Sequence, residues 1–211
     1  MEKQTAIPQR MWSEKLTSLR KTASYSITRL SVQLLARTSV TPNAISWFGF
    51  ALTLGAAWLI ITEHLFAAGF AVLVAGFFDM LDGALARSTE RVTKFGAILD
   101  STLDRFSEAV LLLSLLPMYA RQQSTLGIVA VGLALLGSYL VSYIRARAEG
   151  MGLECEVGIF TRPERVVVLT LGLFLSRINY VFLTIALGII IVFSFVAAGQ
   201  RLHHAWRVTK K

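Results

Sequence analysis

Residues 66–104 read FAAGFAVLVAGFFDMLDGALARSTERVTKFGAILDSTLD, and the fold turns on this stretch. An uncharged apolar run through Phe78 leads into Asp79 and Asp82; a short basic segment holding Arg87, Arg91 and Lys94 follows, and then Asp100 and Asp104. These are all the aspartates in the chain. Ionisable side chains beside a membrane-length apolar run are expensive to keep and mark a function. Asp79 and Asp82 stand three apart, Asp100 and Asp104 four apart, so each pair shares one face of its helix. The short turn between them makes the two helices antiparallel neighbours with the carboxylates facing one another.

Four carboxylates at close range repel unless a cation neutralises them. Oxygen ligands with no histidine or cysteine nearby select Mg²⁺, Mn²⁺ or Ca²⁺ over zinc, and two such ions can clamp a phosphoryl group. Gly83, Ala84, Ala86, Gly96 and Ala97 keep the surroundings small, which lets a ligand or a neighbouring helix approach. Two other readings compete. Internal salt bridges to Arg87, Lys94 or Arg105 would make a rigid polar plug, and a carboxylate path would suit an ion-coupled membrane transporter. The cluster sits at the cytoplasmic edge of its spans with no matching acidic cluster deeper or on the other face, which argues against conduction.

Outward from this core the chain is a membrane protein by composition: 211 residues, 55% apolar, 16% charged, mean hydropathy +0.60. A spanning helix needs about 20 mostly apolar residues. Six stretches are expected to span, roughly 43–62, 66–86, 95–118, 124–144, 164–177 and 180–199, the fifth being short. The fold class is therefore all-α integral membrane, with six transmembrane helices. Lysine and arginine test the topology independently, because they collect in cytoplasmic loops. Basic residues precede the first span, separate spans two and three (Arg87, Arg91, Lys94), separate four and five (Arg145, Arg147, Arg162, Arg165) and follow the sixth (Arg201, Arg207, Lys210, Lys211). The other side receives Arg121 and Arg177 only. Both termini and the aspartates are thus expected on the cytoplasmic side of the cell membrane. The net charge of +8 then reads as attraction to anionic lipids rather than to nucleic acid.

Ahead of the first span, Trp12, Leu16, Leu19, Ala23, Ile27, Leu30 and Leu34 recur at steps of three and four, the pattern of an interfacial amphipathic helix. Residues 1–40 form a cytoplasmic arm, 41–200 the transmembrane catalytic domain and 201–211 a basic tail. No cleavable signal peptide is expected, and the single cysteine, Cys155, excludes an internal disulfide. Thr41-Pro42 is expected to cap span one, and Thr161-Arg162-Pro163-Glu164 to form a capping box before span five.

The pattern Asp79-x-x-Asp82-Gly83-x-x-Ala86-Arg87, eight residues, Gly96-x-x-x-Asp100-x-x-x-Asp104 resembles the signature of the CDP-alcohol phosphatidyltransferase family, with every specified position filled. The resemblance extends over nearly the whole chain. It implies a membrane enzyme that moves the phosphatidyl group of a CDP-linked lipid to a small alcohol and releases CMP. It further implies that Asp79, Asp82, Asp100 and Asp104 bind two Mg²⁺ ions, with Mn²⁺ a substitute, and that Asp104 is also the base. Gly83, Arg87 and Thr93 would contact the CDP moiety, with Thr41, Pro42, Asn43 and Ala44 closing over it, and the enzyme would be a homodimer. A phosphorylated acceptor would gain from guanidinium contacts, which makes Arg145, Arg147, Arg162 and Arg165 candidates for its phosphate. Residues 142–149, Gly152-Leu153, Arg162-Pro163-Glu164-Arg165 and Asp104-Arg105 resemble the prokaryotic branch that converts inositol 1-phosphate to phosphatidylinositol phosphate. Arg145 departs from that branch, where lysine is frequent. The alternative acceptor is glycerol 3-phosphate, giving phosphatidylglycerophosphate.

Overall fold

The computed structural model describes Val32 and residues 40–89, 92–155 and 157–210. Among these, regular structure is entirely helical: α1 (Pro42–Ile61), α2 (Leu65–Ser88), α3 (Lys94–Leu113), α4 (Leu116–Arg121), α5 (Thr125–Glu149), α6 (Arg162–Leu175) and α7 (Val181–Thr209). Four of them, α1, α2, α5 and α7, are long and apolar enough to cross a membrane. α3 has the length but carries Asp100, Asp104, Arg105 and Glu108, and α6 has only 14 residues. The expected amphipathic helix before residue 40 lies outside the described residues apart from Val32, which is helical and packs with Ile45, Leu81 and Leu85.

Local chemistry sets the helix starts. The Thr41 side chain accepts a hydrogen bond from the Ala44 N–H at 3.3 Å, and Pro42 occupies the first helical position, where a missing N–H is harmless. At α6 the Glu164 carboxylate accepts from the Thr161 N–H at 2.9 Å and from its hydroxyl at 2.5 Å, completing the capping box.

The third expected span is not one helix. α3 stops at Leu113 and α4 begins at Leu116, because Pro117 lacks an N–H and its ring would collide with the carbonyl four residues back, that of Leu113. α5 runs on to Glu149, so Arg145 and Arg147 sit on its last turns rather than in a loop. α7 likewise continues past the expected end at 199, and Arg201 and Arg207 are helical.

α1 packs on α2 and α3, α6 bridges α2 and α7, and α5 leans on α7, α3 and α4. The shared core includes Ile60, Val72, Leu112, Met118, Leu173 and Leu187. Arg121, at the end of α4, donates to the Ile61 carbonyl and to the Glu63 carboxylate, tying down the α1–α2 turn. In that turn Glu63 takes the left-handed φ of 63°.

The α6–α7 crossing depends on a missing side chain. A Cβ on Gly172 would stand 2.7 Å from Ala186 Cβ and 3.2 Å from Leu183 Cδ1, whereas one on Gly188 would meet nothing within 4 Å. Gly172→Ala is expected to destabilise by about 1–3 kcal/mol through overpacking, more than the roughly 1 kcal/mol that alanine contributes as a helix former. Gly188→Ala is expected to be neutral or stabilising. Thermal unfolding of both variants in detergent checks this, and equal midpoints would mean that α6 and α7 do not meet at Gly172.

Candidate active site at the aspartate cluster

α2 and α3 present their carboxylates at the end where their connecting segment lies. Thr93 caps α3 by accepting from the Gly96 N–H at 2.9 Å, which fixes the helix one turn before Asp100. Carboxylate oxygens of Asp79, Asp100 and Asp104 all lie within 4.8 Å of one another. Asp82 is not in this group. It is buried, and its Oδ2 accepts from the Ser46 hydroxyl of α1 at 2.5 Å. One turn of α2 thus sends Asp79 toward α3 and Asp82 toward α1.

Of the cations weighed as internal partners, Arg87, Lys94 and Arg105, none forms an ion pair with an aspartate among the described residues; the partner is Arg162. Its Nη1 stands 2.6 Å from Asp79 Oδ2 and 2.6 Å from Asp104 Oδ1. Three residues on, Arg165 is fully enclosed and makes a two-pronged pair with Glu108: Nε to Oε1 at 2.5 Å and Nη2 to Oε2 at 2.8 Å. Asp104 and Glu108 are one turn apart on α3, Arg162 and Arg165 one turn apart on α6. The two helices are therefore joined by two charged rungs.

The four arginines expected at an acceptor phosphate fall into two pairs. Arg162 and Arg165 are engaged by α2 and α3 carboxylates, while Arg145 and Arg147 are exposed at the end of α5, where Arg145 pairs with Glu149 at 2.7 Å. Arg201, read from the sequence only as a topology-setting charge, is buried. It donates Nε to the Val157 carbonyl at 2.9 Å and Nη1 to the Val141 carbonyl at 2.6 Å, and it lies within electrostatic reach of both Arg145 and Arg165. The helical period would have found it: Leu187, Ile190, Ser194, Ala197 and Arg201 descend one buried face of α7 in steps of three and four.

Two cavities meet at the carboxylates. One, about 300 Å³, is lined by Pro42, Asn43, Gly83, Arg87, Thr93 and Asp100 among others, so it gathers most of the residues expected to hold the nucleotide. Thr41 and Ala44 are not in its wall; the Thr41 side chain is occupied as the α1 cap. A Cβ on Gly96 would come 2.9 Å from Thr93 Oγ1 and 3.3 Å from Asn43 Oδ1, so glycine permits the close approach of α1 to the start of α3. The second cavity, about 430 Å³, lies between α1, α2, α3 and α6 with walls such as Phe50, Val72, Leu111 and Val166, and it reaches Asp79 and Arg162. Ser46 and Asp100 belong to both.

The donor set fits a hard divalent cation: carboxylate oxygens from two helices close enough to share an ion, with neither His nor Cys in the group. A helical membrane protein with such a centre, opening on one side to a cavity with Asn43, Arg87 and Thr93 in its wall and on the other to a mainly apolar one, is equipped for phosphoryl chemistry on an amphiphile. The family profile described as CDP-alcohol phosphatidyltransferase matches residues 39–206, and the chain belongs to that family. It is a transferase of this type, which settles the choice between enzyme and ion-coupled transporter. The chain is 36% identical over 182 residues to the phosphatidylinositol phosphate synthase of Mycobacteroides abscessus, covering 84% of this chain and 82% of that one. To the archaetidylinositol phosphate synthase of Pyrococcus horikoshii it is 34% identical over 193 residues, covering 90% and 96%. Its fold is similar to the crystal structure of Mycobacterium tuberculosis phosphatidylinositol phosphate synthase with CDP-DAG bound, at TM-score 0.78 and 34% identity over 86% of this chain and 94% of that one. The same synthase in complex with manganese and citrate matches at TM-score 0.77 and 34% identity, over 85% and 88%.

The buried rung generates a stability prediction. Removing one partner of a buried ion pair strands a charge and costs about 3–5 kcal/mol, whereas replacing both with apolar residues of similar size is often neutral. Glu108→Leu alone should therefore lower the unfolding midpoint sharply, and Glu108→Leu with Arg165→Met should recover most of it. A double variant no better than the single one would mean that the pair is not formed.

Proposed function

We propose that this enzyme transfers the phosphatidyl group of a CDP-linked lipid, diacyl or archaeal ether, to inositol 1-phosphate, yielding phosphatidylinositol phosphate or its ether counterpart and CMP. The observation that carries the reading is the junction of the two cavities: a donor with a nucleotide at one end and apolar tails at the other would span both and lay its pyrophosphate across the aspartates. The names of the relatives favour inositol 1-phosphate over glycerol 3-phosphate.

In this reading Asp79, Asp82, Asp100 and Asp104 hold two Mg²⁺ ions, or Mn²⁺, which offset charge on the donor phosphates when bound. Gly83 leaves room for the Arg87 guanidinium, since a Cβ there would lie 3.3 Å from Arg87 Nη1, and Arg87, Asn43 and Thr93 orient the cytidine end. The acceptor hydroxyl oxygen forms a bond to the lipid-side phosphorus as its proton passes to the Asp104 carboxylate. The bond from that phosphorus to the bridging oxygen breaks, and CMP departs with the electron pair. Arg145, Arg147, Arg162 and Arg165 supply positive charge for the acceptor phosphate, and Arg201 adds to the same field. α3 with α4, and the short α6, complete six membrane crossings. The basic residues put the site and both termini at the cytoplasmic face of the cell membrane, and two copies associate as a homodimer.

The test is an acceptor panel: purified protein, CDP-diacylglycerol and Mg²⁺, with inositol 1-phosphate, free inositol, glycerol 3-phosphate or serine supplied separately, and CMP release recorded. Release with inositol 1-phosphate alone is expected, and release only with glycerol 3-phosphate overturns the acceptor. Asp104→Asn is expected to lower turnover by at least about 100-fold, the low end for a general base, while CDP-lipid binding persists. Activity within about tenfold of the parent would put the base elsewhere.

A further inference from the structure

We propose that Arg162 is an internal counter-cation of the carboxylate centre, competing with divalent metal for Asp79 and Asp104 and turning to a tetrahedral dianion when released, so that metal and acceptor phosphate bind with positive linkage through one side chain. The inference rests on the reading above, in which the aspartates are metal ligands and Arg162 meets the acceptor.

Its basis is the unusual use Arg162 makes of its guanidinium. A single nitrogen, Nη1, lies 2.6 Å from oxygens on two different helices. A hard divalent ion contacts carboxylate oxygens at about 2.0–2.1 Å if it is Mg²⁺, so an ion shared by Asp79 Oδ2 and Asp104 Oδ1 would stand against the Nη1 that donates to the first and lies 2.6 Å from the second. Two cations that close repel strongly in so enclosed a site, and each weakens the other's hold on the carboxylates. Arg162 and the metal therefore compete there.

The surroundings allow an exchange. The start of α6 is fixed independently of the Arg162 side chain, by the Thr161 and Glu164 capping box and by the Arg165 to Glu108 pair. The guanidinium can swing while the backbone stays. Arg165 spends Nε and Nη2 on one carboxylate, leaves only Nη1 without a partner among the described residues and is 2% exposed; Arg162 places one nitrogen between two carboxylates, leaves Nε without a partner and is 22% exposed. The first arrangement is a lock. The second leaves Nε enclosed without an acceptor, a donor that a phosphate takes up once the side chain turns. By reciprocity, an anion that draws Arg162 away raises metal affinity by the factor by which metal raises anion affinity.

The experiment measures Mn²⁺ binding to the full-length protein in detergent, from the electron paramagnetic resonance signal of free Mn²⁺, with no lipid donor. Parent, Arg162→Gln and Asp100→Asn are compared, with and without sulfate at constant ionic strength. Arg162→Gln is expected to tighten Mn²⁺ by about tenfold, equivalent to ~1.4 kcal/mol; a residue that merely shaped the site would weaken it on removal. Sulfate is expected to tighten Mn²⁺ in the parent and not in Arg162→Gln, each read against a protein-free Mn²⁺ standard in the same sulfate. Unchanged or weaker Mn²⁺ binding in a folded Arg162→Gln overturns the inference. Should that variant fail to fold, absence of the sulfate effect in the parent overturns it. Mn²⁺ binding that persists undiminished in Asp100→Asn removes the metal-site reading and this inference with it, whereas aspartate-dependent binding without tightening removes the inference alone.

Discussion

Like charges held close together in a poorly solvating environment are the constraint on which the rest of this structure depends. Asp79, Asp100 and Asp104 bring carboxylate oxygens within 4.8 Å of one another, and in a medium of low effective dielectric such repulsion is several times stronger than in water. A cation at the same place makes the arrangement tolerable. This explains why α6 begins where it does. A short helix with Arg162 at its first position and a strong independent cap delivers positive charge to the mouth of the cluster. The Glu108 to Arg165 pair then anchors that helix one turn further in, at a desolvation cost that only a close two-pronged geometry offsets.

The same centre faces two solvents. Asp82 and Asp100 border a cavity whose wall includes asparagine, threonine and arginine; Asp79 and Asp100 border one lined mainly by apolar side chains such as phenylalanine, valine and leucine. A soluble nucleotide enzyme would have no use for the second, and an ordinary lipid-binding groove would not end on carboxylates. Gly83 and Gly96 matter because side chains there would crowd Arg87, Thr93 and Asn43, which the polar cavity needs in close order. The signature spacing thus encodes steric room as well as ligands.

Much of this was legible in the sequence where one chemical rule acted locally. Thr41-Pro42 and the Thr161 to Glu164 box start helices as expected, and Asp100 and Asp104 share a helix face as their spacing demands, joined there by Asp79. Asp82 departs from the group because a helix turn rotates it toward Ser46, a partner 36 residues away that no local pattern announces. The break before Pro117 was available from proline chemistry and was masked by the continuous apolar run around it. Arg162, Arg165 and Arg201 were read by the sign of their charge, when the deciding information was which face each occupied and which carboxylate or carbonyl tertiary packing brought to it.

Those three arginines differ in how their charge is met, and the difference bears on what they can do. Arg165 has a dedicated carboxylate in a closed environment, which makes it the most firmly held of the three. Arg201 is met by backbone carbonyls of Val141 and Val157, dipoles that satisfy its donors without neutralising it, and it stitches the segment after α5 onto α7 while keeping a net positive charge near Arg145 and Arg165. Arg162 shares carboxylates that a metal also wants. A fixed pair holds the scaffold, an uncancelled charge supplies a standing field for anions, and a contested pair can change partners. Because binding energy moves an equilibrium only through a difference between states, the contested arginine is where arrival of one ligand can alter affinity for another.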